Sequence, residues 1–266
     1  MTIGDYLAMK LLKTNEIVIH PSNAASLGLY NIEDDEFDLD ALHKLHISPS
    51  FLPKVSYSGQ SIMAYGDNQC SFLGVVENIE DSVFVNIGTG AQISALCSNY
   101  KNKKCDVRPF LKDEKLLVGA IKWGGLLYAK LGEFLLSNAK ILGIKPTENI
   151  YEYMSNECKN DSSIKLDSSI LENIIDDELK ERFKNIVGST FTVRDLIIAC
   201  QKSIVKELHE ELMTFDIKKK VVVGAGNALR KNPLMQEYVK ELFNLPFIMN
   251  DFEEAAVGAI KYSLLK

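Results

Sequence analysis

One stretch constrains this chain more than any other: Ser82 to Leu96, reading Ser-Val-Phe-Val-Asn-Ile-Gly-Thr-Gly-Ala-Gln-Ile-Ser-Ala-Leu. Two β-favouring arms, Val83 to Ile87 and Ala91 to Leu96, flank a Gly88-Thr89-Gly90 centre. Val, Ile and Phe on either side of glycines predict a β-hairpin. The centre lacks bulky side chains, so its backbone N–H groups are open to close approach, and Thr89 adds a hydroxyl. Successive donors of this kind form a nest suited to a phosphate. Taken alone, Gly-Thr-Gly is more simply an ordinary hairpin turn. Its weight comes from the motifs around it.

A second glycine turn lies near the C-terminus. Val221-Val222-Val223 predicts a buried strand running into Gly224-Ala225-Gly226-Asn227, and Asn232-Pro233 reads as the N-cap and first residue of the next helix. A glycine turn between strand and helix invites a ligand at the helix N-terminus. The dinucleotide fingerprint G-x-G-x-x-G/A does not fit, because Leu229 occupies the third small-residue position. Between the two turns, Leu116 to Ile121 predicts another buried strand, followed by Lys122-Trp123-Gly124-Gly125 and a helix through Leu135. Lys122 is either a charge for a bound phosphate or a common surface lysine. Gly124 and Gly125 serve either a ligand or helix packing.

Upstream of the hairpin, Ile62 to Tyr65 reads as a short buried strand delivering Gly66-Asp67. Asp67 is a candidate for chemistry, though position alone reads more simply as a helix cap ahead of Asn68-Gln69-Cys70. Thr2 with Asp5 predicts a capping box opening a helix, with Ile3, Tyr6, Leu7 and Leu11 on one apolar stripe that calls for a burial partner. The acidic run Glu33 to Glu36 reads as a solvated loop, and Leu39 to Leu45 as a short helix. Pro146 to Asp161 is irregular; Ile170 to Val187 and Thr192 to Met213 are amphipathic helices of the scaffold. Asp251 and Glu254 predict a capping box for the last helix.

Composition narrows the partners. With a formal charge of -6, the chain is not suited to nucleic acid or an anionic membrane as main partner. No apolar run is long enough to span a bilayer, and Met1 to Asp5 lacks the opening of a signal peptide, so the expected location is cytoplasmic. The 5 cysteines lack C-x-x-C spacing and the 4 histidines form no ligand set, so no metal site is expected from them. His43 and His46 at helical spacing read as a solvated face.

Tyr65-Gly66-Asp67-Asn68-Gln69, Asn86 to Ser94, Arg108-Pro109-Phe110, Gly226 to Asn232 and Asp251 to Ala259 occur in this order. At these residues the chain resembles the FGGY carbohydrate kinases, most closely their sedoheptulokinase-like branch. The resemblance implies an α/β, actin-like ATPase (ribonuclease H-like) fold. It implies a C-terminal remnant of the sugar-side lobe at 1–76 and an ATP-binding lobe at 77–266. It further implies ATP-dependent transfer of a phosphate to a sugar hydroxyl, with Mg²⁺. Asp67 is then the general base and Gly88, Thr89 and Gly90 the phosphate cradle. Lys122 and Gly124 stand beside the phosphates, and Gly224, Gly226 and Asn227 beside the adenosine.

The resemblance covers this chain but only about the C-terminal half of a family member. The family's opening Asp-x-Gly-Thr hairpin and most sugar-binding residues have no counterpart here. Weak ATP binding and poor turnover are therefore expected of the polypeptide alone, with a separate N-terminal-half chain or self-association restoring order. The alternative is a non-catalytic nucleotide-binding module or one chain of a split kinase. A chaperone-type ATPase of the same fold is disfavoured by Gly66-Asp67-Asn68-Gln69.

Overall fold

A computed structural model describes residues 1–58, 61–100, 105–145, 149–156, 162–166, 183–184 and 191–265. Helix α1 (Ile3–Leu12) opens as its capping pattern predicts: Thr2 Oγ1 accepts the Asp5 N–H at 3.2 Å and the Asp5 carboxylate accepts the Thr2 N–H at 2.7 Å. This satisfies donors that a first helical turn leaves unpaired. Its apolar stripe is not buried. Ile3 is 82% and Leu11 66% exposed, and the helix buries Asp5 and Ala8 instead.

Short elements follow. β1 (Val18–Ile19) leads into α2 (Pro21–Ala24), and β2 (Tyr30–Asn31) pairs antiparallel with β3 (Glu36–Phe37). α3 (Leu39–Lys44) falls where predicted, and β4 (Lys54–Val55) pairs parallel with β1. The acidic turn between β2 and β3 is not simply solvated. Asp35 accepts Lys115 Nζ at 2.8 Å and the hydroxyls of Tyr30 and Tyr57 at 3.1 and 3.0 Å. Lys115 is buried, and a buried ammonium is retained only with a partner of opposite charge. Ile62 to Tyr65 is not a strand either. It is half-buried or exposed coil, unpaired with any strand among the described residues, and it ends at Gly66, the N-cap of α4 (Asp67–Val75).

The main sheet is built from β5 (Ser82–Ile87), β6 (Ala91–Leu96), β7 (Asp106–Pro109) and β8 (Lys115–Ile121). After α5 (Gly125–Ile141), α6 (Ile150–Asn156), the small β9–β10 pair (Lys165–Leu166, Phe183–Lys184) and α7 (Val193–Phe215) comes β11 (Val221–Ala225). Then follow α8 (Asn227–Arg230), α9 (Pro233–Phe243), β12 (Phe247–Met249) and α10 (Glu254–Leu264). The strand order is β12-β11-β5-β6-β8-β7, with β11 and β12 parallel and β7 and β8 antiparallel. The described part of 146–161 includes helix α6. Of the helix expected at 170–187, all but residues 183–184 lie outside the described residues; those two form β10.

Contacts divide the chain into two compact units. The first comprises Met1–Ser82, Ser94–Val118 and Phe252–Lys266; the second comprises Val83–Ile93 and Gly119–Asp251. In the first, α4 and α10 touch backbone to backbone. A Cβ on Gly258 would lie 1.8 Å from Cys70 O, and one on Gly74 would lie 2.0 Å from Glu254 O. Lys261 Nζ then donates to Leu73 O and Gly74 O at 2.9 Å each, satisfying carbonyls at the C-terminal end of α4. This contact fixes where α10 begins. Its N-cap is Glu253 without a side-chain hydrogen bond, so the predicted Asp251–Glu254 capping box does not form. The second unit buries one face of α7, including Ile197, Ile204 and Leu208, and the inner face of α9, including Met235 and Val239.

Candidate functional site

In the second unit three separate segments converge. Gly88-Thr89-Gly90 joins β5 to β6, with Gly88 N–H donating to Gly90 O at 3.0 Å. Thr89 and Gly90 are exposed. A Cβ added to Gly88 would come no closer than 3.9 Å to any neighbour, and one added to Gly90 no closer than 3.6 Å. A side chain at either glycine would thus meet only ordinary van der Waals contacts. The first turn of α5 is pinned beneath it: Gly125 N–H donates to Gly88 O at 2.8 Å and Leu126 N–H to Thr89 O at 2.9 Å. These bonds orient the turn and bring the positive end of a 17-residue helix dipole to it.

Gly124 is buried where a Cβ would lie 2.6 Å from Gly90 C, so its packing against the turn explains the glycine. Lys122 is exposed, with its ammonium 4.9 Å from the centre of the Trp123 ring. Gly226 links β11 to α8 at φ +91°, and a Cβ there would lie 2.4 Å from both Ile87 O and Asn86 Oδ1. Only glycine fits, on both counts. A Cβ on Gly125 would meet Ala228 at 3.1 Å, which ties the third segment to the other two. Asn227 opens α8, is exposed, and accepts from Arg230 at 3.1 Å. Gly224 stands apart, buried against Phe247 and Leu229, where a Cβ would lie 2.7 Å from the ring.

Asp67 belongs to the first unit. It is the first residue of α4 rather than its cap, is exposed, and accepts the Asn68 N–H at 2.7 Å through Oδ1. It lines a cavity of about 620 Å³ together with Ser22, Asn23, Ser26, Tyr65 and Arg108. Arg108 is held by Asp106 at 2.7 Å. The polar lining suits a small ligand rich in hydroxyls. The motif Arg108-Pro109-Phe110 was visible in the sequence without a role. Its structural part is now apparent: Pro109 O accepts from the buried Gln69 side chain at 3.0 Å, and Phe110 O from the Tyr262 hydroxyl at 3.1 Å.

Sequence reasoning missed Ser22, which accepts the Gly66 N–H at 2.8 Å, and His20, which is bonded to Ser22. The signal was present: His20-Pro21-Ser22 has the same cap-then-proline form as Asn232-Pro233, and α2 and α9 both start that way. His43 and His46 are exposed, and among the described residues no group of three His, Cys, Asp or Glu side chains could hold a metal ion. None of the 4 cysteines among the described residues forms a disulfide; Cys158 lies outside them. No described helix is long and apolar enough to cross a membrane.

No family model matches the chain. Mouse sedoheptulokinase is 25% identical over 290 aligned positions, which cover 97% of this chain and 60% of the relative. Among solved structures, ligand-bound xylulose kinase from Lactobacillus acidophilus superposes with a TM-score of 0.78 at 17% identity, over 98% of this chain and 57% of that one. Glycerol kinase from Plasmodium falciparum, solved with ADP, gives 0.72 at 16% identity over 100% and 57%. The chain thus spans about 60% of the length of the curated relatives it matches. The fold is that of the actin-like ATPases, as the motifs imply, and the resemblance to sedoheptulokinases extends over nearly the whole chain.

Proposed function

We propose that the chain contributes the nucleotide-binding part and the catalytic aspartate of an ATP-dependent carbohydrate kinase acting on a sedoheptulose-like ketose. The observation that carries this reading is the convergence of 86–90, 124–125 and 226–228 at one set of strand ends in the second unit. Gly88, Thr89 and Gly90 hold phosphate oxygens. Lys122 adds charge there, and Gly124 keeps the turn in shape. Gly226 and Asn227 face the adenosine, with Gly224 supporting them from within the sheet. In this reading 1–76 is the end of the sugar-side lobe and 77–266 the nucleotide lobe.

Asp67 accepts the proton of the sugar hydroxyl. A carboxylate suffices, because the loose transition state of phosphoryl transfer needs the hydroxyl aligned more than strongly deprotonated. The exposed backbone turn at Gly88-Thr89-Gly90 suits a metal that arrives with its nucleotide, because Mg²⁺ keeps several waters and binds through substrate phosphates and one or two carboxylates. When bound, Mg²⁺ neutralises charge on the transferring phosphate.

Asp67→Asn tests the assignment. Sugar phosphorylation should fall by about 10²- to 10⁴-fold, the usual contribution of a general base, with Mg-ATP binding unchanged. Wild-type turnover in Asp67→Asn would remove Asp67 from the chemistry.

A second reading, a nucleotide-binding module acting with another polypeptide or a second copy, is favoured by the exposed Ile3 and Leu11 on α1. Sedimentation of the purified chain decides it: a concentration-independent monomer that phosphorylates sugar rules it out.

A further inference from the structure

Behind Gly66 lies a short hydrogen-bond chain that no motif announced. The Gly66 N–H donates to Ser22 Oγ at 2.8 Å, and Ser22 Oγ lies 2.7 Å from His20 Nδ1. Nδ1 also accepts the Ser22 N–H at 3.2 Å, capping α2, so this nitrogen carries no proton and the ring is protonated on Nε2. The direction of the chain follows. Ser22 O–H donates to His20, which turns the serine lone pair toward the Gly66 N–H.

The imidazole itself cannot swing. It is buried among the rings of Tyr57, Tyr65 and Tyr262, with centroids 5.3, 4.9 and 5.5 Å away at 90°, 70° and 71°. Tyr65 stacks on Tyr262 at 4.6 Å, closing the cage. Burial also lowers the His20 pKa to about 4, so the ring is neutral at physiological pH and remains an acceptor. From the other side, a Cβ on Gly66 would lie 2.4 Å from Gln69 Oε1 and 3.2 Å from Ser22 Cβ. The Tyr65–Gly66 peptide, one before the peptide that joins Gly66 to Asp67, is thus held by Ser22 Oγ, itself bonded to a neutral histidine, with the Gln69 side chain packed close to the Gly66 Cα.

We propose that His20 and Ser22 are positioning residues for Asp67: through the Gly66 amide they fix the start of α4 and with it the direction of the Asp67 carboxylate. The catalytic meaning of this rests on the reading of Asp67 as the base of a sugar kinase. Ser22 also lines the cavity beside Asp67, but in this role neither residue need touch substrate. They act through one backbone hydrogen bond, and general-base catalysis is sensitive to misplacement of the base on the scale of an ångström.

Amide hydrogen exchange at Gly66, followed by NMR alongside turnover, tests the proposal. Ser22→Ala should speed Gly66 exchange about tenfold, the effect expected from losing one hydrogen bond, and lower kcat by a similar factor while leaving KM for ATP unchanged. His20→Asn places an oxygen where Nδ1 sits and should keep both readouts near wild type; His20→Gln places its polar atom elsewhere and should change them in the direction of Ser22→Ala. Asp67→Asn should lower turnover by about 10²- to 10⁴-fold without changing Gly66 exchange. Unchanged exchange in Ser22→Ala, or equal behaviour of His20→Asn and His20→Gln, overturns the positioning role. A wild-type chain with the expected exchange pattern but no saturable Mg-ATP binding would keep the positioning role and contradict the kinase reading instead.

Discussion

In the second unit the candidate ligand-facing groups are mostly backbone atoms at strand ends; in the first, the candidate is one side chain aimed by residues far away in sequence. Gly88 to Gly90 is oriented by the adjacent β5 and β6 and by two bonds from the start of α5. Asp67 is aimed by Ser22, 44 positions from the Gly66 amide it binds, and α4 is seated by Gly258 and Lys261 at the end of the chain. A backbone cradle tolerates side-chain changes and fails through glycine substitution. An aimed side chain fails through any change that shifts its supports.

The largest effect separating the two is expected at the helix contact of the first unit. Gly258→Leu would drive a side chain into Cys70 O and should cost about 3 kcal/mol or more, at the upper end of overpacking, read as a lower denaturant midpoint. If the midpoint is unchanged, α4 and α10 do not meet as closely as described.

Next comes pH. The buried neutral His20 has its pKa depressed from 6.5 to about 4, chiefly by burial, with Asp35 opposing. The unfolded chain therefore binds a proton between these values that the folded chain does not, and stability should fall as pH drops from about 6.5 to 4. The full loss approaches about 3 kcal/mol, at 1.36 kcal/mol for each unit of difference. The facing groups Tyr57, Tyr65 and Tyr262 stay neutral throughout, because burial raises all three. His20→Asn should flatten this part of the stability–pH curve; an identical curve would mean His20 is not buried as a neutral ring.

In the second unit Gly226→Ala should cost about 2 kcal/mol, from positive φ and the contact with Ile87 O, and should weaken nucleotide binding with it. The smallest effect is assigned to Lys261→Met, which removes two donors from the end of α4 and should cost about 1 kcal/mol. It should leave nucleotide binding alone. Lost binding in Lys261→Met would blur the distinction between the units.

The same distinction explains what the sequence could reveal. Signals that act over a few residues were readable: the Gly88-Thr89-Gly90 hairpin, the Thr2–Asp5 box, the Asn232-Pro233 start, and the long helix after Thr192. Readings failed where a distant partner decides. Asp35 has local acidic neighbours but finds its ion pair 80 positions away in Lys115. Ile62 to Tyr65 has strand-like composition but pairs with no strand among the described residues. Asp251 and Glu254 have the right spacing for a box, yet the start of α10 is set by its contact with α4. In the site, the glycine turns were legible as turns, whereas the support of Asp67 by His20 and Ser22 was not, because a histidine capping a four-residue helix says nothing locally about Gly66.

The central claim is that the second unit binds a nucleotide over Gly88-Thr89-Gly90. Calorimetric titration of the purified chain with Mg-ATP, wild type beside Thr89→Glu, tests it most directly. Thr89 is exposed, so the variant should fold as wild type does while setting a carboxylate against the incoming phosphates, a like-charge contact worth several kcal/mol. Wild type should bind saturably, with affinity that falls by at least about tenfold in Thr89→Glu. Equal binding by both, or no binding by a demonstrably folded wild-type chain, would contradict it.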